Sequence, residues 1–488
     1  MKQLRTYIIL TLLVLAGNCS AFAEVRHIDL QQALELARNA NPEIIRSEFD
    51  LHSAEASFRS VRAELFPSVR ADVLAPNYSQ SLSEQYIYNP DDGTYGWRWM
   101  PTGDYRYQGT IFLEQNLPTG GNLNISSMLY QRDYYIGTGT DNLETEYSSI
   151  IQMSVQQPLI QANSHRIRQK KGLLSLETAK LNAEIRRRDL DFIIAVAYYS
   201  IVRADKRLRL EEEDFERWQN SVQAAEDKFQ AGLIPEVEVL KLQVELARRQ
   251  GNLSATYSAY LNTADDLKLA LGLGFDDSIA VVEKVEKISI TAGDYDSAIV
   301  SRQELHQSRI QIDQAELNYK DIKAGFGINA YLQAYYLFDA KDPDLENITD
   351  NYEQDRGLSL TLSIPVLDWN SAKQQIESAD LELKKTKYNF DHQKKELFAE
   401  LKQTDRAVNA ANSRLESSRL AEQLAEKSYQ ITLSRFESGA VTSTDLIDAQ
   451  LSLNQARHEL LDSIIDYNIA AVRYKTLFFP QIKKWGIQ

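Results

Sequence analysis

The sequence lacks the residues that disulfide-linked or metal-binding proteins need. Its 488 residues include one cysteine, Cys19, and its six histidines are dispersed, with no His-x-x-x-His pair. Disulfides and thiolate metal sites are therefore excluded, and no metal ligand set is predicted. A glycine-rich phosphate loop is also missing, so an ATPase is not expected. We predict no catalytic residue and no cofactor.

Long apolar runs are missing beyond the first residues, so no membrane-spanning helix is predicted. Near the start, Lys2 and Arg5 precede a largely apolar run from Tyr7 to Ala16, followed by the small-x-small site Ala21-Phe22-Ala23. This pattern predicts a signal peptide over residues 1–23. An exported chain of this kind is either soluble or crosses a membrane as a β-barrel.

Cys19 lies inside the predicted signal peptide and would be removed with it. The alternative is that Cys19 becomes a lipidated N-terminus after Leu15-Ala16-Gly17. Asn18 is large and polar for that processing site, so removal is favoured.

Excess basic charge is missing as well. The formal net charge is −15 at pH 7. Because nucleic-acid partners attract basic surfaces, nucleic acid is not expected as a partner.

Proline is absent from two long stretches, between Ile160 and Ile234 and between Val366 and Phe479, where glycine is also rare. The first stretch predicts a helix of about 65 residues, roughly 95 Å long at 1.5 Å per residue. Helices of globular domains average about 11–12 residues. The return segments show coiled-coil spacing, with Leu246, Leu253, Tyr260 and Leu267 at sevens. The intermediate heptad positions hold Leu242, Tyr257 and Ala264. The same pattern recurs in the second half at Leu453, Leu460, Tyr467 and Tyr474.

The two proline-free stretches are copies of each other. Adding 207 to a residue number gives a matching residue over more than a hundred positions, as from Pro158 to Pro365 and from Gly232 to Gly439. This period is far longer than solenoid repeats of roughly 20–50 residues. The chain is therefore a duplicated half-molecule.

Short alternating segments lie before each long helix. Leu358 to Ile364 alternates apolar and small polar residues, and Ile151 to Gln156 does the same. Such alternation predicts strands with one apolar and one polar face. A soluble sandwich and a transmembrane barrel share this pattern. The long helices favour the barrel, since they do not fit a globular domain.

The N-terminal parts of the halves match at a different offset. Asp29 is a predicted helix cap, Pro42 begins a second helix, and Glu43 matches Glu304 at an offset of 261. The corresponding part of the second half is Ser297 to about Lys323. The first half therefore carries 54 extra residues between about 68 and 155. Thr110–Leu117 and Leu123–Tyr130 predict a hairpin there, around Pro118-Thr119-Gly120-Gly121. Whether it adds two membrane strands per chain or an extracellular hairpin stays open.

The predicted organisation follows from these signals. The first repeat covers 24–290, with strands at about 68–157, a long helix at about 165–229 and a return helix at about 236–271. The second repeat covers 291–488, with strands at about 328–364, a long helix at about 372–436 and a return helix at about 443–478.

Six motifs along the duplicated chain together resemble those of the TolC-like outer membrane factors, the exit ducts of efflux pumps and type I secretion systems. They are the opening Leu30–Ala37 with Asn41-Pro42-Glu43, the two turns Gln157-Pro158-Leu159 and Ile364-Pro365-Val366, and the two tips Lys228–Leu233 and Arg435–Ala440. The resemblance covers essentially the whole chain after the signal peptide.

The resemblance implies an α+β membrane protein in which the duplicated helix–β-hairpin–long helix–helix unit assembles as a homotrimer. Three chains would form an outer-membrane β-barrel continuous with a periplasmic α-helical coiled-coil barrel. The implied partners are outer-membrane lipid, a periplasmic adaptor and an inner-membrane transporter of the RND, ABC or MFS type. One chain offers four to six strands, fewer than the eight of the smallest single-chain barrels, so closure needs other copies.

Two prolines and two tips are the first candidate functional residues. Pro158 and Pro365 are predicted to end strand pairing where the chain turns into a helix. Gly232 and Gly439 interrupt the long helices where a left-handed residue is needed. The resemblance implies adaptor docking at 228–235 and 435–442, including Phe229, Gly232, Leu233, Phe436, Gly439 and Ala440.

Acidic residues after the tips are the candidate gate. Asp445 and Asp448 are three apart and share a helix face. Glu238 answers Asp445 in the first half, whereas Lys241 answers Asp448. In a trimer, the resemblance implies two carboxylate rings that bind cations at a periplasmic constriction. The arginine that latches the best-known relative falls at Val441, and Phe436 replaces a tyrosine.

The expected function is therefore a passive outer-membrane duct, extending into the periplasm, of a tripartite efflux pump or type I secretion system. The alternative is an exported coiled-coil structural or adhesive protein with small β-domains.

Overall fold

A computed structural model describes residues 26–89, 93–136, 143–282 and 287–479. The predicted signal peptide and Cys19 lie outside these residues. The chain divides into two compact units, of which the first comprises Met1–Asp50, Lys180–His306 and Asp391–Gln488 and the second Leu51–Ala179 and Gln307–Phe390. Among the helices described, none combines the length and apolar character that a membrane span requires.

Two long helices and two return helices follow the 207-residue repeat. The long helices are α3 (Ser164–Gln230) and α7 (Ser371–Glu437), each of 67 residues. The return helices are α4 (Glu236–Leu271) and α8 (Ser443–Phe478), each of 36 residues. They occupy the four ranges predicted for them because no proline interrupts the backbone hydrogen bonds there.

Each half opens with a pair of shorter helices. In the first half these are α1 (Leu30–Ala40) and α2 (Pro42–Ala63). The predicted cap is confirmed, since the Asp29 side chain accepts from the Gln32 amide in a capping box. In the second half, α5 (Tyr295–Val300) and α6 (Gln303–Gly325) cover the predicted counterpart, Ser297 to about Lys323. The break falls at Ser301 and the buried Arg302, whose guanidinium binds Glu304 and Glu400.

The strands of the second unit form one antiparallel sheet. They are β2 (Ser68–Asn89), β3 (Thr94–Asn116), β4 (Asn122–Ile136), β5 (Glu144–Pro158), β7 (Asn329–Asp342) and β8 (Glu353–Ser363), in the order β2-β3-β4-β5-β7-β8. The short β1 (Arg26–Ile28) and β6 (Ile279–Val281) pair in parallel in the first unit. The hairpin predicted at Pro118–Gly121 is confirmed, because Leu117 donates to the Gly121 carbonyl between β3 and β4. The first half therefore carries four strands of this sheet rather than one hairpin.

The first unit has three apolar clusters. One joins α1, α3 and α4 around Ala33, Ile194 and Leu267, and a second joins α5, α7 and α8 around Leu401 and Ala471. The third packs α3, α4, α7 and α8 around Trp218 and lies next to the helix ends. Tyr257, which the heptad pattern included, is 53% exposed within one chain.

Helices α3 and α8 are joined by a ladder of polar contacts that runs antiparallel. Residue numbers rise along α3 as they fall along α8. The pairs are Arg203–Asp466 (2.5 Å), Arg207–Asp462 (2.5 Å), Glu211–His458 (2.9 Å), Asp214–Asn454 (3.2 Å) and Ser221–Gln450 (3.1 Å). The ladder fixes the register of the two helices. Its hydrogen bond from His458 lowers the pKa of Glu211.

Candidate functional site: the paired helical tips

The tip that follows α3 is a Schellman turn. The amide of Gly232 donates to the Phe229 carbonyl (2.8 Å), and the amide of Leu233 donates to the Lys228 carbonyl (2.9 Å). Gly232 has φ +71°, a left-handed conformation that favours glycine. Pro235 then precedes α4 as a residue without a side-chain cap.

The tip that follows α7 repeats this turn. Gly439 donates to Phe436 (2.9 Å), Ala440 donates to Arg435 (2.8 Å), and Gly439 has φ +77°. Here Thr442 caps α8, with its hydroxyl accepting from the Asp445 amide while the Asp445 carboxylate accepts from the Thr442 amide (2.9 Å). These hydrogen bonds from Thr442 lower the pKa of Asp445.

Glu238 occupies the position in α4 that Asp445 occupies in α8, but it binds a different helix. A capping box at α4 would need a backbone N–H on Pro235, which proline lacks. The Glu238 carboxylate instead accepts from the amide of Ser443, in the first turn of α8 (3.3 Å). The positive end of α8 favours this negative charge. Glu238, which follows the first tip, thus caps α8, the helix that begins after the second tip.

Two lysines add further contacts between the tips. Lys241 donates to Glu238 (2.8 Å) and to the Thr444 hydroxyl (3.4 Å). The Lys241 ammonium is the main cause that lowers the pKa of Glu238, and Ser443 adds to it. Lys228 donates to the Phe436 carbonyl and lies 4.1 Å from the centre of its ring. Burial lowers the pKa of Lys228.

The predicted tip residues differ in burial between the copies. Phe436 is 2% exposed in the cluster around Trp218, whereas Phe229 is 43% exposed. Leu233 and Ala440 are exposed at their turns. The chain therefore buries one tip phenylalanine and leaves its copy on the surface.

The predicted gate residues lie in the first two turns of the return helices. Asp445 and Asp448 are both exposed on α8. The carboxylate of Asp445 is held by Thr442, and Glu238 is held by Lys241 and Ser443. Asp448 therefore has the freest carboxylate of the three for a cation. In the described ranges, no group of three or more His, Cys, Asp or Glu residues has the geometry to hold a metal ion.

The two prolines lie at strand ends in the second unit, but Leu159, after Pro158, still donates to the Ala330 carbonyl (2.8 Å). Pro158 is the last residue of β5 and lies opposite Tyr331, and Pro365 follows the end of β8 at Ser363. Each helix begins six residues later, at Ser164 and Ser371. The turns themselves use Asn163, which accepts from Arg166, and Asp368, which accepts from Ala372.

A buried polar cluster behind the tips is not apparent from the sequence. Asp214 is 1% exposed and accepts from Trp218 (3.1 Å), Arg217 (3.1 Å) and Asn454 (3.2 Å). Burial raises the pKa of Asp214, although Arg217 opposes the shift. Spacings of three and four place Asp214, Arg217 and Trp218 on one helix face. Asn454 is 240 residues away and gives no local signal.

Comparison with known proteins identifies the family. The family model described as outer membrane efflux protein matches residues 33–273 and 295–477. No curated protein matches the chain by sequence.

Solved channel structures share its fold at low identity. CusC has 13% identity and a TM-score of 0.70, with 93% of each chain covered. A membrane protein from Pseudomonas aeruginosa has 15% identity and a TM-score of 0.69, with 92% of each chain covered. The CmeC outer membrane channel of Campylobacter jejuni has 13% identity and a TM-score of 0.69, with 92% of this chain and 85% of that chain covered.

The matched family consists of channels rather than enzymes. These channels work as trimers with adaptor proteins and inner-membrane transporters. Its match spans both halves of the duplication, including both tips. The chain therefore belongs to the outer membrane efflux protein family and forms an efflux channel of the outer membrane that extends into the periplasm.

Proposed function

We propose that three copies of this chain form one passive duct of a tripartite pump. In this duct the tips bind a periplasmic adaptor, and Asp445 and Asp448 form the cation-binding gate. Energy comes from an inner-membrane transporter, since the chain carries no phosphate-binding loop.

The observation that carries the homotrimer is a serine–glutamine pair that occurs twice in the repeat but is bonded together only once; in the other occurrence Gln243 donates to Glu226 on α3 instead (2.9 Å). Ser221 and Gln450 are hydrogen-bonded and buried between α3 and α8. The repeat places the same residue types at Ser428 on α7 and Gln243 on α4, and both are exposed. A neighbouring copy supplies the missing contact if α7 of one chain packs on α4 of the next.

The faces around this pair suit such packing. On α4, exposed apolar and small residues recur at alternating spacings of three and four: Val237, Leu240, Val244, Ala247, Gly251, Ser254, Ser258 and Leu261. On α7, Leu424 and Ile431 are 60% and 53% exposed on a corresponding stripe. Heptad spacing of this kind is typical of coiled-coil seams. Phe229, near the end of α3, is 43% exposed and repeats the buried Phe436, so we assign it to the contact between copies as well.

The proposed seam differs chemically from the ladder inside the chain. The ladder residues Asp214 and Asn454 have the repeat counterparts Ala421 and Ala247. Similarly, Arg203 and Asp466 correspond to Ala410 and Ala259. Small residues allow two helices to approach closely, so this seam relies on packing where the ladder relies on charge.

Adaptor docking is proposed at the tips because their apolar side chains are presented on rigid turns. Leu233 is 73% exposed directly after the glycine of its Schellman turn. A photocrosslinking residue at Leu233 is expected to capture the adaptor in cells, whereas one at Leu269, an exposed leucine at the far end of α4, is not. Equal capture at both positions would contradict docking at the tips.

Cysteine crosslinking tests the trimer. With Cys19→Ser as background, Ala247→Cys together with Ala421→Cys is expected to give covalent dimers and trimers on oxidation, because these positions repeat the Asp214–Asn454 contact. Each single variant is expected to give no trimer and serves as the control. A detergent-independent soluble monomer would overturn the duct and favour the coiled-coil structural or adhesive alternative.

A further inference from the structure

We infer that the channel's membrane barrel has 18 strands, closed by pairing of β2 of each copy with β8 of the next. Six strands of the described chain form one sheet, and the three copies of the proposed function, on which this inference rests, supply 18. Without the two inserted strands the same trimer would have 12. The 54-residue insertion therefore contributes two membrane strands per chain and not an extracellular hairpin.

The inserted strands β3 and β4 are integral to the sheet. β4 pairs with β3 continuously from Asn122↔Asn116 to Ile136↔Thr102. Its other edge pairs with β5 from Asn122↔Gln156 to Tyr134↔Glu144. An accessory hairpin would leave β2 free to pair with β5, but both lateral positions next to β3 and β4 are occupied.

The inserted strands also share the apolar face of the others. In-register partners lie on the same face of a sheet. One such row runs from Val69 through Leu113, Ile125 and Met153 to Tyr336, and only its last member, Arg356 on β8, is charged. A second row runs through Leu123, Val155, Ala334 and Leu358. An extracellular hairpin in water would have no reason to continue this face.

The opposite face is mainly polar, although it also carries Phe112, Met128, Ile150 and Leu337. A row on this side joins Glu114, Asn124, Ser154 and Tyr335. A sheet that is apolar on one face and polar on the other suits lipid on the outside and a water-filled lumen inside. Because Val73 and Leu358 are 84% and 73% exposed, the apolar face needs lipid to cover it.

The two outer edges must then be paired. Within the described chain, β2 and β8 each have a sheet partner on one side only. Unpaired backbone groups are costly in lipid. Six strands are fewer than the smallest single-chain barrels contain, so one copy does not close on itself.

The strand directions allow closure between copies. β2 begins directly after α2, and β8 ends shortly before α7, so the two edge strands run in opposite directions. Joined across copies, they continue the antiparallel order of the sheet. Because barrel diameter grows roughly linearly with strand number, 18 strands give a barrel about 1.5 times as wide as 12.

Cysteine pairs on the polar face test this closure. In the Cys19→Ser background, Asp72→Cys on β2 is combined with Ser359→Cys, Thr361→Cys or Ser363→Cys on β8. At least one combination is expected to give covalent trimers on oxidation in membranes. Asp72→Cys with Leu360→Cys is the matched control, because these side chains lie on opposite faces and no link is expected.

Two further pairs separate the possible failures. Asn124→Cys with Ser154→Cys, which are opposite in register, is expected to link within one copy and shows that the sheet is formed. Asp72→Cys with Ser154→Cys would link only if β2 and β5 were neighbours, which is the 12-stranded arrangement. Trimers linked through Ala247 and Ala421 but never through β2 and β8 would overturn the 18-stranded barrel and leave the trimer standing. A β2–β8 link found only within monomers would overturn it as well.

Discussion

The amide of Ser443 donates a hydrogen bond to the carboxylate of Glu238, 205 residues earlier in the chain. Glu238 is free for this contact because Pro235, at its own helix cap, has no N–H to offer. Val441 stands where the resemblance places the latching arginine of the best-known relative, and it has no charge to form such a latch. The contacts of Glu238, Lys241 and Lys228 join the two tips of this chain instead.

The Glu238 contact makes tip stability depend on pH. Lys241 and Ser443 lower the pKa of Glu238, so its stabilising effect is present above the ordinary glutamate value of about 4.3 and is lost as pH falls through the folded-state value. Glu238→Gln is expected to lower the free energy of unfolding by about 0.5–1 kcal/mol at pH 7. Denaturant titrations of both proteins at pH 7 and pH 3 measure the difference, which is expected to shrink as the pH falls.

Glu245→Gln is the matched control, because Glu245 pairs with Arg248 within α4 and makes no contact with α8 among its described bonds. A Glu238→Gln deficit that is the same at both pH values would show that the charge of Glu238 has no role.

The two tip glycines are required by backbone conformation alone. No heavy atom lies within 4 Å of a Cβ built on Gly232 or Gly439, but both have positive φ. Each change to alanine is expected to cost about 1–2 kcal/mol of stability. Gly325→Ala, at a helix end with equal space and no positive φ, is expected to cost nothing. Thermal unfolding of the three variants measures this, and an equal loss in Gly325→Ala would contradict the explanation.

The two tip phenylalanines are expected to separate folding from assembly. Phe436→Ala empties a buried site and is expected to cost about 3–5 kcal/mol in unfolding free energy. Phe229→Ala removes an exposed ring and is expected to leave helix content unchanged while weakening the trimer. Circular dichroism and light scattering in detergent report the two effects. A trimer that is as stable in Phe229→Ala as in the unaltered protein would contradict the proposed packing between copies.

The gate proposal predicts a specific loss of cation block. Multivalent cations are expected to block single-channel current from the periplasmic side, and Asp448→Asn is expected to weaken this block at least tenfold. Glu459→Gln, which removes an exposed carboxylate further along α8, is the matched control. Unchanged block in Asp448→Asn would remove this residue from the gate.

The helices are predictable from the sequence because the residues that bound them are local signals. Proline-free stretches bounded α3 and α7, and the glycines at 232 and 439 marked both turns. The alternation of Leu358–Ile364 identified a strand, yet it left the inserted hairpin undecided, since only pairing on both sides of β4 assigns it to the sheet.

The contacts between tips were out of reach for a different reason. Glu238 was found as a repeat of Asp445, but its bond to Ser443 depends on how two distant helices pack. The bonds of Lys228 and Lys241 to the other tip likewise join residues more than 200 positions apart and give no local signal. The Thr442-x-x-Asp445 spacing was a readable capping-box signal that fixes the Asp445 side chain.

The unequal burial of Phe229 and Phe436 has a kinetic consequence. The helical hairpin of α7 and α8, which includes Phe436, packs against α3 and α4 of its own chain. The core that it forms there therefore assembles at a rate independent of protein concentration. In the trimer we propose, the apolar stripe of α4 is completed only when another copy packs on it. A newly exported chain therefore exposes an apolar surface until it associates with other copies. The lifetime of this exposed state shortens as the concentration of the chain in the periplasm rises.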